Sequence, residues 1–231
     1  MFAILGGTSL IDCRIFSGWP EEAVKTPFGT VTVKKGDGVV FLQRHGSPPL
    51  PPHRIRHQAN IAALRELGVN RIVAVNSVGS LRFSLEPGTL LVPDDFVSPW
   101  HIETFFDDEM RFMIPVMDGD FAHEVFVACR EHSMAVRMGG TYVQTIGPRL
   151  ETRAEINILK GYGDIVGMTL ASEATLSMEM DLSYASICSI DNYCHGIVEV
   201  PLTMDEILAN VSRNLTTIEI ILNALIMRGL S

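Results

Sequence analysis

The sequence predicts an α/β domain in which a mixed, largely parallel β-sheet is flanked by helices. Two observations carry that expectation. Short runs rich in β-branched residues alternate with stretches of helical periodicity along all 231 residues, the pattern of strands joined by helical crossovers. The apolar fraction is 47%, enough for one substantial core, and no linker, repeat or low-complexity stretch divides residues 1–231.

In chain order, Phe2–Leu5 reads as a buried strand that closes on Gly6-Gly7-Thr8-Ser9. Val39–Leu42 is the second strand, followed by Arg44-His45-Gly46. Pro48-Pro49-Leu50-Pro51-Pro52 is a stiff surface loop. Arg54 to Leu67 reads as a helix because Ile55, Ala59, Ala62, Ala63 and Leu67 fall near one face, and Gly68 ends it. Ile72–Val75 is the third strand, with Asn76-Ser77-Val78-Gly79-Ser80 behind it. Phe121 to His132 is helical, Tyr142–Gln144 is the fourth strand, and Glu151 to Lys160 is again helical. Ile165–Val166 is the fifth strand, with Gly167-Met168-Thr169 behind it, before a helix over Glu173 to Met180. Tyr184–Cys188 is the sixth strand, followed by Ser189 to Asn192, and Met204 to Met227 forms the last helix.

Charge narrows the function. Eighteen Lys and Arg stand against 27 Asp and Glu, a formal charge of −9, which argues against nucleic acid as a partner. Any bound anion must sit in a local cradle that works against the overall field. Cys13, Cys129, Cys188 and Cys194 form no C-x-x-C pair, which fits a reducing cytoplasm. The N-terminus lacks a basic leader, and the most apolar segment, IEIILNALIM, is broken by Glu219 and Asn223, so no membrane association is expected. Only 19% of residues are charged, which suggests apolar surface covered by sister subunits.

In open α/β sheets ligands lie beyond the carboxyl ends of strands. Thr8, Arg44, His45, Ser77 and Thr169 all follow strands and converge on one expected crevice. Each cluster also has a plain structural reading: Gly6-Gly7 as a turn, Arg44 and His45 as a surface pair, Asn76-Ser77 or Thr169 as helix caps. Taken together the set suits a phosphate dianion, which calls for a guanidinium, hydroxyls and glycine-rich backbone N–H groups. Arg44 supplies the main positive charge in this reading, and His45 adds a further donor. No G-x-G-x-x-G, Walker loop, H-E-x-x-H or G-x-S-x-G occurs, so neither a cofactor nor a metal is expected.

The stretches Ile4-Leu-Gly-Gly-Thr8, Arg44-His-Gly46, Pro51-Pro-His-Arg-Ile55 with Ala59-Asn-Ile61, Asn76-Ser-Val-Gly-Ser-Leu81, Gly147-Pro-Arg-Leu-Glu-Thr152 and Gly167-Met-Thr169 with Glu173 resemble the purine nucleoside and methylthioadenosine phosphorylases. They run in that family's order over nearly the whole chain. The resemblance implies an α/β phosphorylase fold, usually trimeric with a hexamer as the alternative, that cleaves a purine nucleoside with inorganic phosphate as co-substrate. It implies that Thr8, Arg44, His45, Ser77 and Thr169 bind phosphate, that Met168 packs on the ribose, that Leu150 stands where a phenylalanine often stacks near the base, and that Glu151 and Asn192 contact the purine. Arg44, His45 and Asn192 are the catalytic candidates.

Family members acting on 6-oxopurines carry Glu and Asn at the base-contact positions, as at Glu151 and Asn192. Physically, a carboxylate accepts the N1–H of hypoxanthine or guanine and is repelled by the bare N1 of adenine. The structural alternative is that Glu151 only opens a helix, where acids are favoured. Asp191 adjoins Asn192, so a one-residue slip would restore the aminopurine pattern. Met204, Ile207 and Leu208 make an apolar face where ordinary nucleoside enzymes resemble one another in placing a histidine for the 5′-hydroxyl. That face either receives a 5′-thioether or simply packs on the core. The expected substrate is S-methyl-5′-thioinosine. The rivals are S-methyl-5′-thioadenosine, inosine or guanosine, and, from another class, a non-catalytic nucleoside binder. Departures from the family pattern fall at Ser9, Arg56, His57 and Met113, and at Leu150 and Ser172.

Overall fold

A computed structural model describes residues 1–11 and 13–229. Strands β1 (Phe2–Gly6), β2 (Glu21–Thr26), β3 (Gly29–Lys35), β4 (Val39–Gln43), β5 (Arg71–Ser80), β6 (Leu90–Val92), β7 (Asp95–Val97), β8 (Val136–Met138), β9 (Thr141–Gln144), β10 (Ile165–Gly167) and β11 (Ser183–Tyr193) join in one sheet. Helices α1 (His57–Glu66), α2 (Gly119–His132), α3 (Arg153–Leu159), α4 (Leu170–Glu179) and α5 (Met204–Arg228) flank it. The sheet is mixed and mostly parallel, as expected. β1 pairs in parallel with β4 and β5, and β11 with β5, while β10 meets β5 antiparallel.

The strand period of two divides the core. Ala3, Leu5, Ile72 and Ala74 face α1 and α4, where they meet Ala59, Ile61, Leu170 and Ala174. Phe2, Ile4, Val73 and Val75 face α2 and α5, where they meet Phe121, Val125, Ile218 and Leu222. A strand covered on both faces reads as an unbroken apolar run, which is why β1, β4 and the first half of β5 are legible in the sequence. The hairpin β2–β3 leaves one face to solvent, with burial only at Val24, Val31 and Val33. Its charged residues hide it from a search for apolar runs.

Several expected boundaries move. The first helix starts at His57 and not Arg54, because Pro52–Arg54 form a 3-10 turn and Ile55 is extended. The third starts at Arg153, capped by Thr152 in a capping box with Glu155. The fourth starts earlier, at Leu170. The largest correction concerns β5 and β11. Asn76–Ser80 and Ser189–Asn192, expected behind strands, lie inside them and pair with one another from Cys188↔Asn76 to Tyr193↔Ser80. Polar side chains buried in the sheet carry no strand signal of their own; the pairing decides them.

That pairing opens the crevice. One edge of β5 is taken by β1 as far as Leu5↔Ala74, then by β10 from Gly79↔Val166. Between these registers, Val75–Val78 lie where the two neighbouring strands part. Such a split is where an α/β sheet accepts a ligand.

Candidate active site

At the split lies a cavity of about 380 Å³, within the range of small-molecule sites. Thr8, Arg44, His45, Ser77, Thr169, Leu150, Glu151, Met168, Asn192, Met204, Ile207 and Leu208 all line it. The twelve residues singled out in the sequence are thus brought to one wall-to-wall space. Cys194, His195, Leu202 and Val211 join them.

Arg44 is buried at 3% exposure and its guanidinium is paired within the protein. Its Nε donates to Glu173 Oε1 at 2.5 Å, and Nη2 donates to Glu173 Oε2 at 3.3 Å and to Leu5 O at 3.1 Å. Nη1 donates to Val75 O at 2.8 Å. The guanidinium therefore caps backbone carbonyls freed where β1 and β5 part, and its charge is balanced by Glu173. Of its five N–H groups one, on Nη1, is left for an anion. The charge expected to serve an anion is thus already paired, and removing Arg44 would strand a buried carboxylate. Gly7 must be glycine here, since a Cβ would collide with Arg44 Nη1.

Glu173 also accepts from Tyr184 Oη at 2.8 Å. Burial pushes its carboxyl up, while Arg44 and Tyr184 pull it back towards the charged form. Its part in the site was missed. The available signal was an acid in the apolar helical run Leu-Ala-Ser-Glu-Ala-Thr-Leu of residues 170–176.

The hydroxyls differ from one another. Asn76 accepts from Ser186 Oγ and donates to Thr169 Oγ1, both at 2.7 Å. Thr169 is thus an acceptor inside the protein, and its own proton is free for the cavity. It stands at the N-cap of α4 but makes no side-chain cap, so the capping alternative falls away. Ser77 is the opposite case, because its hydroxyl donates to Asp191 Oδ2. While Asp191 is a carboxylate that proton is engaged, and Ser77 turns only lone pairs to the cavity it lines. His45 Nδ1 lies 2.7 Å from Leu50 O, so the proton is on Nδ1 and Nε2 is bare in the neutral ring. Burial lowers its pKa, with Arg44 adding to the effect.

Glu151, also on the cavity wall, accepts through Oε1 from Thr145 Oγ1 at 2.6 Å. Thr152, not Glu151, caps α3, so this carboxylate is held for the cavity and not for the helix. Asn192 donates to Tyr193 O at 2.9 Å and keeps a second amide N–H. The register question resolves geometrically. β11 bulges between Ile190 and Asn192, which puts Asn192 on the wall and buries Asp191 at 1% exposure. Gly79 lies close enough that a Cβ would press on Cys194 Sγ and Asn192 Nδ2. Leu150, Met204 and Leu208 are more than two-fifths exposed at the mouth. Ser9 Oγ and His57 Nδ1, at two of the positions noted as departures, are buried and find no hydrogen-bond partner among the described residues.

Among the described residues no three His, Cys, Asp or Glu are grouped to hold a metal ion. No described helix is long and apolar enough to cross a membrane.

The sequence profile of the Phosphorylase superfamily matches residues 2–227. The chain is 39% identical over 221 residues to a protein of Archaeoglobus fulgidus named "Probable 6-oxopurine nucleoside phosphorylase", covering 93% of this chain and 90% of that one. It is 40% identical over 218 residues to a protein of Methanocaldococcus jannaschii named "Probable S-methyl-5'-thioinosine phosphorylase", covering 91% and 86%. Among solved structures, a variant of adenosine/methylthioadenosine phosphorylase from Schistosoma mansoni bound to methylthioadenosine superposes with a TM-score of 0.84 at 28% identity, covering 100% of this chain and 92% of that one.

Proposed function

The chain belongs to the Phosphorylase superfamily, and on that premise we propose that it cleaves a 6-oxopurine nucleoside with inorganic phosphate. The substrate we assign is S-methyl-5′-thioinosine, giving hypoxanthine and 5-methylthioribose 1-phosphate. The observation that carries the reading is the cavity itself. Hydroxyls, a guanidinium N–H, the Glu151 carboxylate, the Asn192 amide and the apolar Met204, Ile207 and Leu208 all line one space.

The chemistry follows from that layout. Thr8, Ser77, Thr169 and Arg44 hold phosphate beneath the anomeric carbon, with His45 Nε2 accepting from the hydroxyl of hydrogen phosphate, converting a bimolecular attack into a positioned one. Met168 packs on the ribose and Leu150 covers the base. Glu151 accepts N1–H of the oxopurine. Asn192 donates to the purine as negative charge moves onto it in an oxocarbenium-like transition state, which is preorganised electrostatic stabilisation. The sheet-to-wall hydrogen bonds supply that preorganisation, and neither a cofactor nor a metal takes part in the scheme.

A second reading, ordinary inosine phosphorolysis, is favoured by His195, which lines the same cavity and can serve a 5′-hydroxyl. The assembly we assign is a homotrimer, or a hexamer built from it. The support is the exposed apolar run of Met110, Phe112, Ile114 and Val116, which a sister subunit would cover. Cys13, Cys129, Cys188 and Cys194 stand free, which supports a cytoplasmic protein.

The test is release of free base from inosine, adenosine and their 5′-methylthio forms, each with and without phosphate. Methylthioinosine is expected to turn over fastest, and only with phosphate. Equal turnover of methylthioadenosine overturns the oxopurine assignment. Cleavage without phosphate overturns phosphorolysis, and binding without cleavage makes the protein a nucleoside binder.

A further inference from the structure

Beside the anion end of the cavity lies a buried carboxylate that the scheme above does not use. Asp191 is the bulged residue of β11. Its Oδ1 accepts from Ser189 Oγ at 2.7 Å and from Asn214 Nδ2 at 2.8 Å. Asn210 of α5 holds its carbonyl at 2.8 Å. Oδ2 faces a single partner, the hydroxyl of Ser77, and Ser77 lines the cavity.

A hydroxyl has one proton to give. While Asp191 is a carboxylate, that proton goes to Oδ2 and Ser77 offers the cavity only lone pairs. An oxyanion there meets acceptor against acceptor, which is costly in a buried site. A proton on Oδ2 reverses the chain: Asp191 then donates to Ser77 Oγ, and Ser77 donates to the anion. Thr169 needs no such change, because Asn76 already donates to it.

We propose that Asp191 and Ser77 form a proton-gated donor, in which binding of a tetrahedral oxyanion draws one solvent proton onto Asp191 Oδ2 and turns the Ser77 hydroxyl towards the anion. Asp191 is a positioning residue and touches no substrate. The proposal rests on the reading that an oxyanion binds between Thr8, Arg44, Ser77 and Thr169.

The surroundings make a proton on Asp191 less costly than on a solvated carboxylate. From β5 come Ser77 and the neutral Asn76, from α5 the neutral Asn210 and Asn214, and from β11 itself Ser189 and the Cys188 thiol. The charged or titratable groups of the cavity are Arg44 with its partner Glu173, His45, His195, Glu151 and the Cys194 thiol. Among the described residues, no Lys, Arg or His nitrogen pairs with Asp191. Burial pushes its carboxyl up, opposed only by neutral donors.

The test counts protons. Sulfate carries no proton near neutral pH, so calorimetric titration in buffers of differing protonation enthalpy reads the uptake per anion bound. Wild type is expected to take up as much as one proton more than Asp191→Asn. In that variant the amide oxygen stays with Ser189 and Asn214, and the amide nitrogen donates to Ser77 permanently. The sulfate Kd of the wild type should therefore rise with pH by up to about tenfold per unit more steeply than that of the variant. His45 contributes equally to both and cancels. If Asp191→Asn does not fold, Ser77→Ala makes the same comparison, losing the same proton together with one hydrogen bond to the anion.

Equal uptake and parallel pH profiles in wild type and variant overturn the proposal, as does a wild type that binds neither sulfate nor phosphate. If no nucleoside is cleaved yet the uptake differs, the proposed function fails and this inference stands. If phosphorolysis occurs with equal uptake, only this inference fails.

Discussion

Around Arg44 and Asn76 the polar groups of the cavity interlock with one another, whereas the mouth is apolar and half open. Arg44 alone bonds to Glu173, Leu5 and Val75, and Asn76 links Ser186 to Thr169. Leu150, Met204 and Leu208 at the mouth keep much of their surface in solvent. The difference separates two kinds of residue. Where polar groups interlock in a buried space, a substitution leaves a charge or donor stranded and the loss reaches the fold. Where the wall is apolar and exposed, a substitution changes which substrate is preferred and little else.

The largest expected effect breaks the interlocked end. Glu173→Leu leaves Arg44 uncompensated and Tyr184 without its acceptor, and should cost about 3–5 kcal/mol of stability. A denaturant midpoint equal to that of wild type would contradict the account of Arg44 as a structural plug. Next, Glu151→Gln keeps the size and the Thr145 contact but loses the charge. It should lower kcat/KM for the 6-oxopurine nucleoside about 10–100-fold while the melting temperature holds. A loss of stability without loss of selectivity would move Glu151 to the interlocked class.

The third prediction concerns acid. His57 is buried, and its pKa is pushed down to about 3 by burial first, with Arg44 and His45 adding to it. The unfolded ring protonates near its ordinary value, so between that value and about 3 the unfolded state binds the extra proton. Stability should be full above the ordinary histidine range and fall by about 1.4 kcal/mol per pH unit on acidification through this window. His57→Phe should flatten that slope in denaturation curves taken across it; an unchanged slope would assign the acid sensitivity elsewhere. The smallest effect belongs to the mouth. Leu208→Ser should shift preference from the 5′-methylthio towards the 5′-hydroxyl substrate by only a few-fold, about 1 kcal/mol. It should leave the unfolding midpoint unmoved, and a large drop in stability would show that α5 is part of the core there.

Much of this architecture was legible in the chain. β1, β4 and the start of β5 announce themselves because burial on both faces demands continuous apolar residues. The twelve cavity residues were found from turn chemistry behind strands and from short stretches resembling a known family. The hairpin β2–β3 was not legible, because a one-faced edge strand with charged residues has no distinctive run. The second halves of β5 and β11 read as loops, since Asn76, Ser77, Ser189 and Asn192 favour turns in isolation.

The sequence by itself determined the α/β alternation, the two-faced core and the order of the polar clusters, because side-chain period and turn preference are local properties. Only the tertiary structure decided that Arg44 belongs to Glu173, 129 positions away, and that a bulge in β11 gives Asn192 to the cavity and Asp191 to Ser77. The physical reason is that a buried charge or hydroxyl takes its role from whichever donor or acceptor the fold places opposite it, and strand register between distant segments sets that partner.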